Sequence, residues 1–469
     1  MKIKKIVILV FLLFLTSTAV IIGAPIRGLT TETYQLEAKT ADSFIESMGI
    51  GTKFGFCPGR LCDRYSQVKN LLAELGIRYI RDIPYPESWR IRTDLYTDLG
   101  IQMLAETGRI WGKPLQAVDI KAQLAAIESL GKMVVGIVGV NEYDNPVYHS
   151  CEETEGCDSN WSTENWATDY LQYQYELYQQ VKADPKLQQL PVVMGPMAHL
   201  DNTERLTEMS DFCDRGNDHS YPGAWGLPSQ ESGGGTKNSV RSLDKVVAKV
   251  QQICPAKPLW ITETGYEEAT EGQPNQYVVS QQAKAKYLPR IYANYYLQPE
   301  IEKTFLFELL NATESGTKFG IIDTNLQPTP AYYALKNLIS LLGEATWNPE
   351  NQSWDYPVFQ PDFLKYSLTG NTKNLQHLLL QKSDRTFYLL LWQEVYVYDV
   401  RQSQDIINPE LPIQLTFKNA TIEKANQYLL YNSENPAQKL TASKLWQDVS
   451  SLSLAVPDHI LVVEFSLKK

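Results

Sequence analysis

From about residue 47 to 343, short apolar and β-branched runs alternate with helix-length segments. That is the signature of strands alternating with helices. Eight runs read as strands: Gly49–Phe56, Ile77–Asp82, Ile101–Glu106, Met133–Asn141, Pro191–Pro196, Cys213–His219, Leu259–Glu263 and Thr304–Leu309. Helical segments fall between them, among them Ser66–Leu75, Val118–Leu130, Asn165–Ala183, Val240–Gln252 and Gln281–Tyr296. Eight β/α units in about 300 residues fit a closed (β/α)8 barrel, placed at 45–343, better than an open doubly wound sheet. Beyond residue 344 the helical period fades. Short runs take over (Leu364–Leu368, Gln376–Leu380, Thr386–Trp392, Ile413–Phe417, Gln427–Tyr431 and Ile460–Phe465), separated by Asn, Pro, Ser and Gly. This predicts an antiparallel β-sandwich over 344–469, with Thr30–Glu37, inside residues 30–40, as a candidate extra strand. The expected fold class is α/β: a TIM barrel with a C-terminal antiparallel β-sandwich domain.

The first 24 residues have a different character. Lys2, Lys4 and Lys5 precede the apolar run Ile6–Ala24, the layout of a secretory signal peptide. The run is also nearly long enough to remain as an N-terminal membrane anchor. Both readings export the rest of the chain, so the expected location is secreted, periplasmic or cell-surface, with any membrane contact made through this segment alone. Six cysteines agree with an oxidising compartment, and their spacing suggests Cys57–Cys62, Cys151–Cys157 and Cys213–Cys254.

Composition narrows the partners. The net charge is −11 and no basic run follows the N-terminus, which argues against nucleic acid, because phosphate binding needs clustered Lys and Arg. Five histidines without an H-x-x-x-H spacing, cysteines without C-x-x-C, and the lack of Gly-rich phosphate loops predict no metal and no cofactor.

Barrel chemistry gathers at the C-terminal ends of strands. Those ends here carry Arg81-Asp82, Glu106, Asn141-Glu142, His219 with Tyr221, Glu263 and Glu308. Glu142 closes the fourth strand (GIVGVNEYDNP) and Glu263 the seventh (PLWITETGY), so both face one cleft from opposite sides. Glycosidic hydrolysis needs such a pair, one carboxyl protonated to donate to the leaving oxygen and one ionised to attack the anomeric carbon. Asn141 is placed to hydrogen-bond a sugar hydroxyl, and Arg81 and Tyr221 to keep Glu263 anionic. A lone strand-end glutamate is more often a salt-bridge partner; two on facing strands of one barrel favour catalysis.

The motifs NEYDNP, HSYPG and WITETGY resemble the fourth-, sixth- and seventh-strand motifs of the clan A retaining glycoside hydrolases, over the barrel of about 300 residues. The appended sandwich is similar to that of several of its families, and the nearest likeness is to secreted bacterial cellulase-like or xylosidase-like members. The resemblance implies Glu142 as acid/base and Glu263 as nucleophile, with Asn141, Arg81, His219 and Tyr221 in support. The chain departs from that pattern twice. AETGRIWG lacks the histidine many members carry after the third strand, and FLFELLN places Phe307 or Glu308 where they carry a tryptophan.

Trp111, Tyr143, Trp161 and Trp225 are candidates to stack on sugar faces. Glu267, Glu268 and Glu271 read as a solvated rim and Glu152–Glu155 as a solvated loop. The functional expectation is an exported retaining glycoside hydrolase acting on O-glycosidic bonds, β in the main reading, of a poly- or oligosaccharide. The alternative is a non-catalytic carbohydrate-binding or cell-surface protein on a degenerate barrel.

Overall fold

The computed structural model describes residues 30–56, 60–84, 93–108, 115–145, 165–232, 240–269, 278–311, 318–418 and 420–468. Eight parallel strands form one sheet: β1 (Met48–Gly51), β2 (Tyr79–Asp82), β3 (Gln102–Glu106), β4 (Val134–Val138), β5 (Val192–Val193), β6 (Gly216–His219), β7 (Leu259–Thr264) and β8 (Ile301–Leu306). Their order, β5-β4-β3-β2-β1-β8-β7-β6, follows the chain around a ring. A parallel bridge from Val193 to Arg215 brings β5 against the start of β6. The barrel interior is filled by Tyr79, Leu104, Val138, Val193, Trp260 and Phe305. It is a packed core, so chemistry is confined to the rim.

Each expected strand is present, most of them shorter than the apolar run that announces it. The helices carry the apolar stripe the period demands: Leu243–Gln251 buries Leu243, Val246, Val247 and Val250. The expected helix start at Val240 is corrected, because Val240–Ser242 pairs as a short ribbon with Gln230–Ser232.

Eight strands follow the barrel to form two facing sheets: β9 (Phe363–Gly370), β10 (Leu375–Gln381), β11 (Phe387–Gln393), β12 (Leu411–Phe417), β13 (Ile422–Leu429), β14 (Lys444–Val449), β15 (Ser451–Val456) and β16 (Leu461–Leu467). One sheet runs Thr30–Glu37, β9, β12, β15; the other runs Lys39–Thr40, β10, β11, β16, β13, β14. Thr30–Glu37 pairs antiparallel with β9 along its whole length, from Thr30 opposite Gly370 to Glu37 opposite Phe363.

Strand β11 explains its own unbroken apolar run. Phe387, Leu389 and Leu391 enter the sandwich core, while Tyr388, Leu390 and Trp392 enter the core shared with the barrel. Both faces are covered, so alternation is lost. The junction is also charged. Arg290, on helix Gln281–Leu297 and fully buried, donates to Glu394 Oε2 from Nε (3.2 Å) and Nη2 (2.9 Å), and to the carbonyls of Val395 (3.1 Å) and Asp458 (3.0 Å). The same Oε2 accepts from Asn294 (3.2 Å) and Trp392 Nε1 (3.0 Å), and Oε1 from Ser229 N (3.0 Å).

Cys213 and Cys254 form a disulfide with a Cα separation of 6.3 Å. Cys62 is also disulfide-bonded; Cys57, Cys151 and Cys157 lie outside the described residues, as do Trp111, Trp161, Glu152–Glu155, Glu271 and the Ile6–Ala24 run. Among the described residues no helix is long and apolar enough to cross a membrane.

Candidate active site

Strand β4 delivers Asn141 and Glu142 through a tight exit. A Cβ on Gly139 would lie 2.9 Å from the Gly195 backbone nitrogen, so only glycine lets the ends of β4 and β5 approach this closely. Glu142 itself has φ +47°, a conformation that costs non-glycine residues energy and clusters at functional sites. The turn is held by Glu142 N to Pro196 O (3.0 Å) and Asn145 N to Glu142 O (2.9 Å). Asp144 pins it further by accepting from Ala198 N (2.7 Å), His199 N (3.0 Å) and Asn202 Nδ2 (2.8 Å). Opposite, β7 delivers Glu263 just before Gly265, where φ is +153° and a Cβ would lie 2.6 Å from the Phe307 carbonyl.

One oxygen from each carboxylate and a His219 ring nitrogen all lie within 4.8 Å of one another. The two glutamates have unlike surroundings. Glu263 is ion-paired with Arg81 and accepts from Tyr221 OH (2.7 Å). Its burial alone would push the carboxyl up; the charges of His219 and Arg81, with hydrogen bonds from Tyr221 and Arg81, outweigh that and hold it at about 2. Burial and the Glu263 charge keep the Tyr221 hydroxyl protonated, hence a donor. Arg81 also reaches Asn141 Oδ1 (2.5 Å) and Glu106 Oε2 (2.7 Å).

Among the described residues Glu142 lacks the arginine and tyrosine and meets His219 Nδ1 at 2.6 Å, the same nitrogen that lies 3.4 Å from Glu263 Oε2. On its other side His219 Nε2 sits 3.1 Å from Thr262 Oγ1, which donates to Asn217 Oδ1 (3.0 Å). With the hydroxyl proton committed to Asn217, Thr262 accepts from Nε2–H. A neutral His219 then has a bare Nδ1, and its hydrogen bond to Glu142 requires a proton on the Glu142 carboxyl; if the ring is charged, the same proton sits on Nδ1. Either way one proton lies between Glu142 and His219, while Glu263 is ionised. Glu142, His219 and Glu263 have the donor types of a cation site, but the Arg81 guanidinium already neutralises Glu263.

The sequence-expected residues Arg81, Asn141, Glu142, His219, Tyr221 and Glu263 thus meet in one hydrogen-bonded cluster. Glu308 lies at the end of β8, buried and paired with Lys53 Nζ at 2.9 Å. Tyr143 is corrected as a stacking candidate: it is buried within the main core. Trp225 is half-buried and packs against that core, its carbonyl accepting from Tyr396 OH (3.0 Å). Glu268 is corrected too, being buried and accepting from Gln281 Nε2 (2.9 Å) where a solvated rim was expected. Glu106, one of the expected strand ends, joins the cluster through Arg81; Thr262, on β7 between Ile261 and Glu263, carries no sequence signal beyond its place in the strand.

Known structures of similar fold are glycoside hydrolases. The chain superposes on a family 39 glycoside hydrolase from the gut symbiont Bacteroides cellulosilyticus WH2 with a TM-score of 0.55 and 16% identity, over 90% of this chain and 82% of that one. It superposes on an α-L-arabinofuranosidase from Thermotoga maritima (TM-score 0.54, 13% identity, 86% and 90% covered). A third likeness is to the GH51 arabinofuranosidase of Xanthomonas axonopodis pv. citri (0.52, 14%, 94% and 100%). At these identities the likeness establishes the barrel-plus-sandwich fold. No family model matches the chain, and no curated protein does.

Proposed function

We propose that the chain is an exported retaining glycoside hydrolase that cleaves O-glycosidic bonds, β in the main reading, of poly- or oligosaccharides by double displacement. The observation that carries this reading is the Glu142–Glu263 pair: carboxylate oxygens within 4.8 Å, one carboxyl hydrogen-bonded to a histidine and the other held anionic. Separations of roughly 5–5.5 Å between carboxyl groups go with retention, and ~6.5–9.5 Å with inversion, where a water must fit between. In the first step Glu263 attacks the anomeric carbon while Glu142 protonates the departing oxygen. In the second, Glu142 takes a proton from water, and the resulting hydroxide displaces Glu263. Asn141, fixed by Arg81, is placed to bind a hydroxyl of the sugar undergoing substitution.

Two variants test this on a panel of aryl glycosides and polysaccharides. Glu263→Ala is expected to lose activity on every substrate, since no covalent intermediate forms without the nucleophile. Glu142→Ala is expected to lose natural glycosides but still react with an activated aryl glycoside, and azide should restore turnover with a glycosyl azide of retained configuration. Azide rescue of Glu263→Ala with retained configuration, and of Glu142→Ala with inverted configuration, would reverse the two roles. A wild-type chain inert on the whole panel would leave the non-catalytic sugar-binding alternative.

A further inference from the structure

We propose that Lys53, held by Glu308, contacts the bound sugar and makes the cleft a reader of neutral rather than uronic sugars; this rests on the glycosidase reading of the same cleft. Lys53 follows β1 at the barrel rim, with a third of its side chain exposed. Its ammonium lies 2.9 Å from Glu308 Oε2 and 5.0 Å from the centre of the Phe307 ring. That ring meets the Tyr221 ring edge-on at 6.5 Å, and Phe319 touches both, at 5.6 Å from Tyr221 and 5.5 Å from Phe307. Tyr221 donates to Glu263. An unbroken series of contacts therefore leads from Lys53 to the nucleophile, past two half-buried phenyl rings that suit the apolar face of a sugar.

Glu308 is 2% exposed, and its Oε1 has no hydrogen-bond partner among the described residues. A carboxylate buried in this way needs the lysine beside it, and it fixes the position of a side chain that otherwise has four free torsions. Glu308 is thus a positioning residue acting through Lys53. An ammonium has three N–H donors, and Glu308 takes one.

Charge decides the ligand class. Among the described residues, four carboxylates, Glu106, Glu142, Glu263 and Glu308, stand with Arg81, paired with Glu263 and Glu106, and Lys53, paired with Glu308. A uronate would bring a further negative charge to a set in which each of these two cations already has a carboxylate partner. A hydroxyl oxygen of a neutral sugar accepts from Lys53 without that cost.

Calorimetric binding of neutral xylo-, cello- and arabino-oligosaccharides and of oligogalacturonate and oligoglucuronate to the Glu142→Gln chain, which keeps the Arg81–Glu263 pair, tests this with turnover of natural glycosides suppressed. The best neutral ligand is expected to bind at least ten times more tightly than either uronate. Lys53→Met should weaken it about 10- to 100-fold, the range of a hydrogen bond from a charged donor, with Lys53→Arg recovering part of the loss. The double variant Lys53→Met/Glu308→Gln leaves no unpaired charge at this pair; it should fold like the parent, as read by melting temperature, and bind as weakly as Lys53→Met. Tighter uronate binding, unchanged affinity in both Lys53→Met chains, or no binding by any sugar overturns the proposal. Turnover by the wild-type chain without a Lys53 effect would sink this inference alone; discrimination without turnover would sink the reaction alone.

Discussion

Replacing Glu394 by methionine removes the centre of the barrel–sandwich junction. Its Oε2 takes four donor contacts, two from Arg290 and one each from Asn294 and Trp392, and its Oε1 takes Ser229 N. Arg290 is 0% exposed, so without Glu394 a guanidinium remains in the core with only two carbonyls as partners. Breaking one side of a buried ion pair costs about 3–5 kcal/mol. At ~2 °C per kcal/mol, the lower end for large units, the melting temperature should fall by roughly 6–10 °C. Differential scanning calorimetry at one fixed scan rate reads it, since unfolding of a chain this long is expected to be irreversible. The double variant Arg290→Met/Glu394→Met removes both charges and should recover much of the loss, giving a coupling of ~2 kcal/mol or more. A fall below about 1 °C, or additive single losses, would refute the assignment of the junction to this pair. Activity should drop as well, because Ser229 belongs to the segment after β6 in which Ser232 N holds the Tyr221 carbonyl (2.8 Å).

Further outcomes follow from the site. Tyr221→Phe deletes a hydrogen bond to ionised Glu263 worth ~1.5–3 kcal/mol, which raises its carboxyl by about 1–2 pH units; the acidic limb of kcat/KM should move to higher pH, and an unmoved limb would deny Tyr221 this role. In the wild-type chain Glu263 titrates below its ordinary 4.5, so its contribution to stability is complete above that value and is lost as pH falls toward about 2; acid denaturation of Glu263→Gln should lack that component. Gly265→Ala should displace the Phe307 carbonyl and lower both stability and turnover, with kcat/KM and melting temperature as readouts. Reducing Cys213–Cys254, which closes a 41-residue separation, should cost about 4 kcal/mol in the chain-entropy account; denaturant titration with and without reductant checks it.

The barrel is legible because most of its strands fall in apolar, β-branched runs (β6, GNDH, does not) spaced by helical segments, and because Asn141-Glu142 and Glu263 stand at strand ends where side chains converge. Partners brought in from far along the chain were not. Nothing local to Lys53 announces Glu308, and nothing near Glu394 announces Arg290; such pairs exist only once β8 or β11 is in place. Strand β14 escaped notice because it is a sheet edge, its KLWQDV mostly exposed and without alternation. Strand β13 lies further toward the N-terminus than its apolar run suggests, because its buried positions include Asn426 and Gln427, whose amide nitrogens donate to Glu464 (2.7 Å) and Ser443 (3.2 Å), so hydropathy does not mark it. Tyr143 shows the limit for aromatics: a ring beside a catalytic glutamate packs into the core, and only the fold says which way it turns.

Residues 30–40 edge both sheets of the sandwich, yet some 320 residues separate them from β9 and β10. The sandwich is therefore discontinuous along the chain, and the barrel is an insertion within it. During synthesis the first strand must wait unpaired until the barrel is complete, so its open edge is the segment most exposed to wrong partners. A cut at the apparent boundary near residue 343 would not yield two modules: the C-terminal piece would carry an open edge along β9, which a peptide spanning Thr30–Thr40 would fill by strand addition.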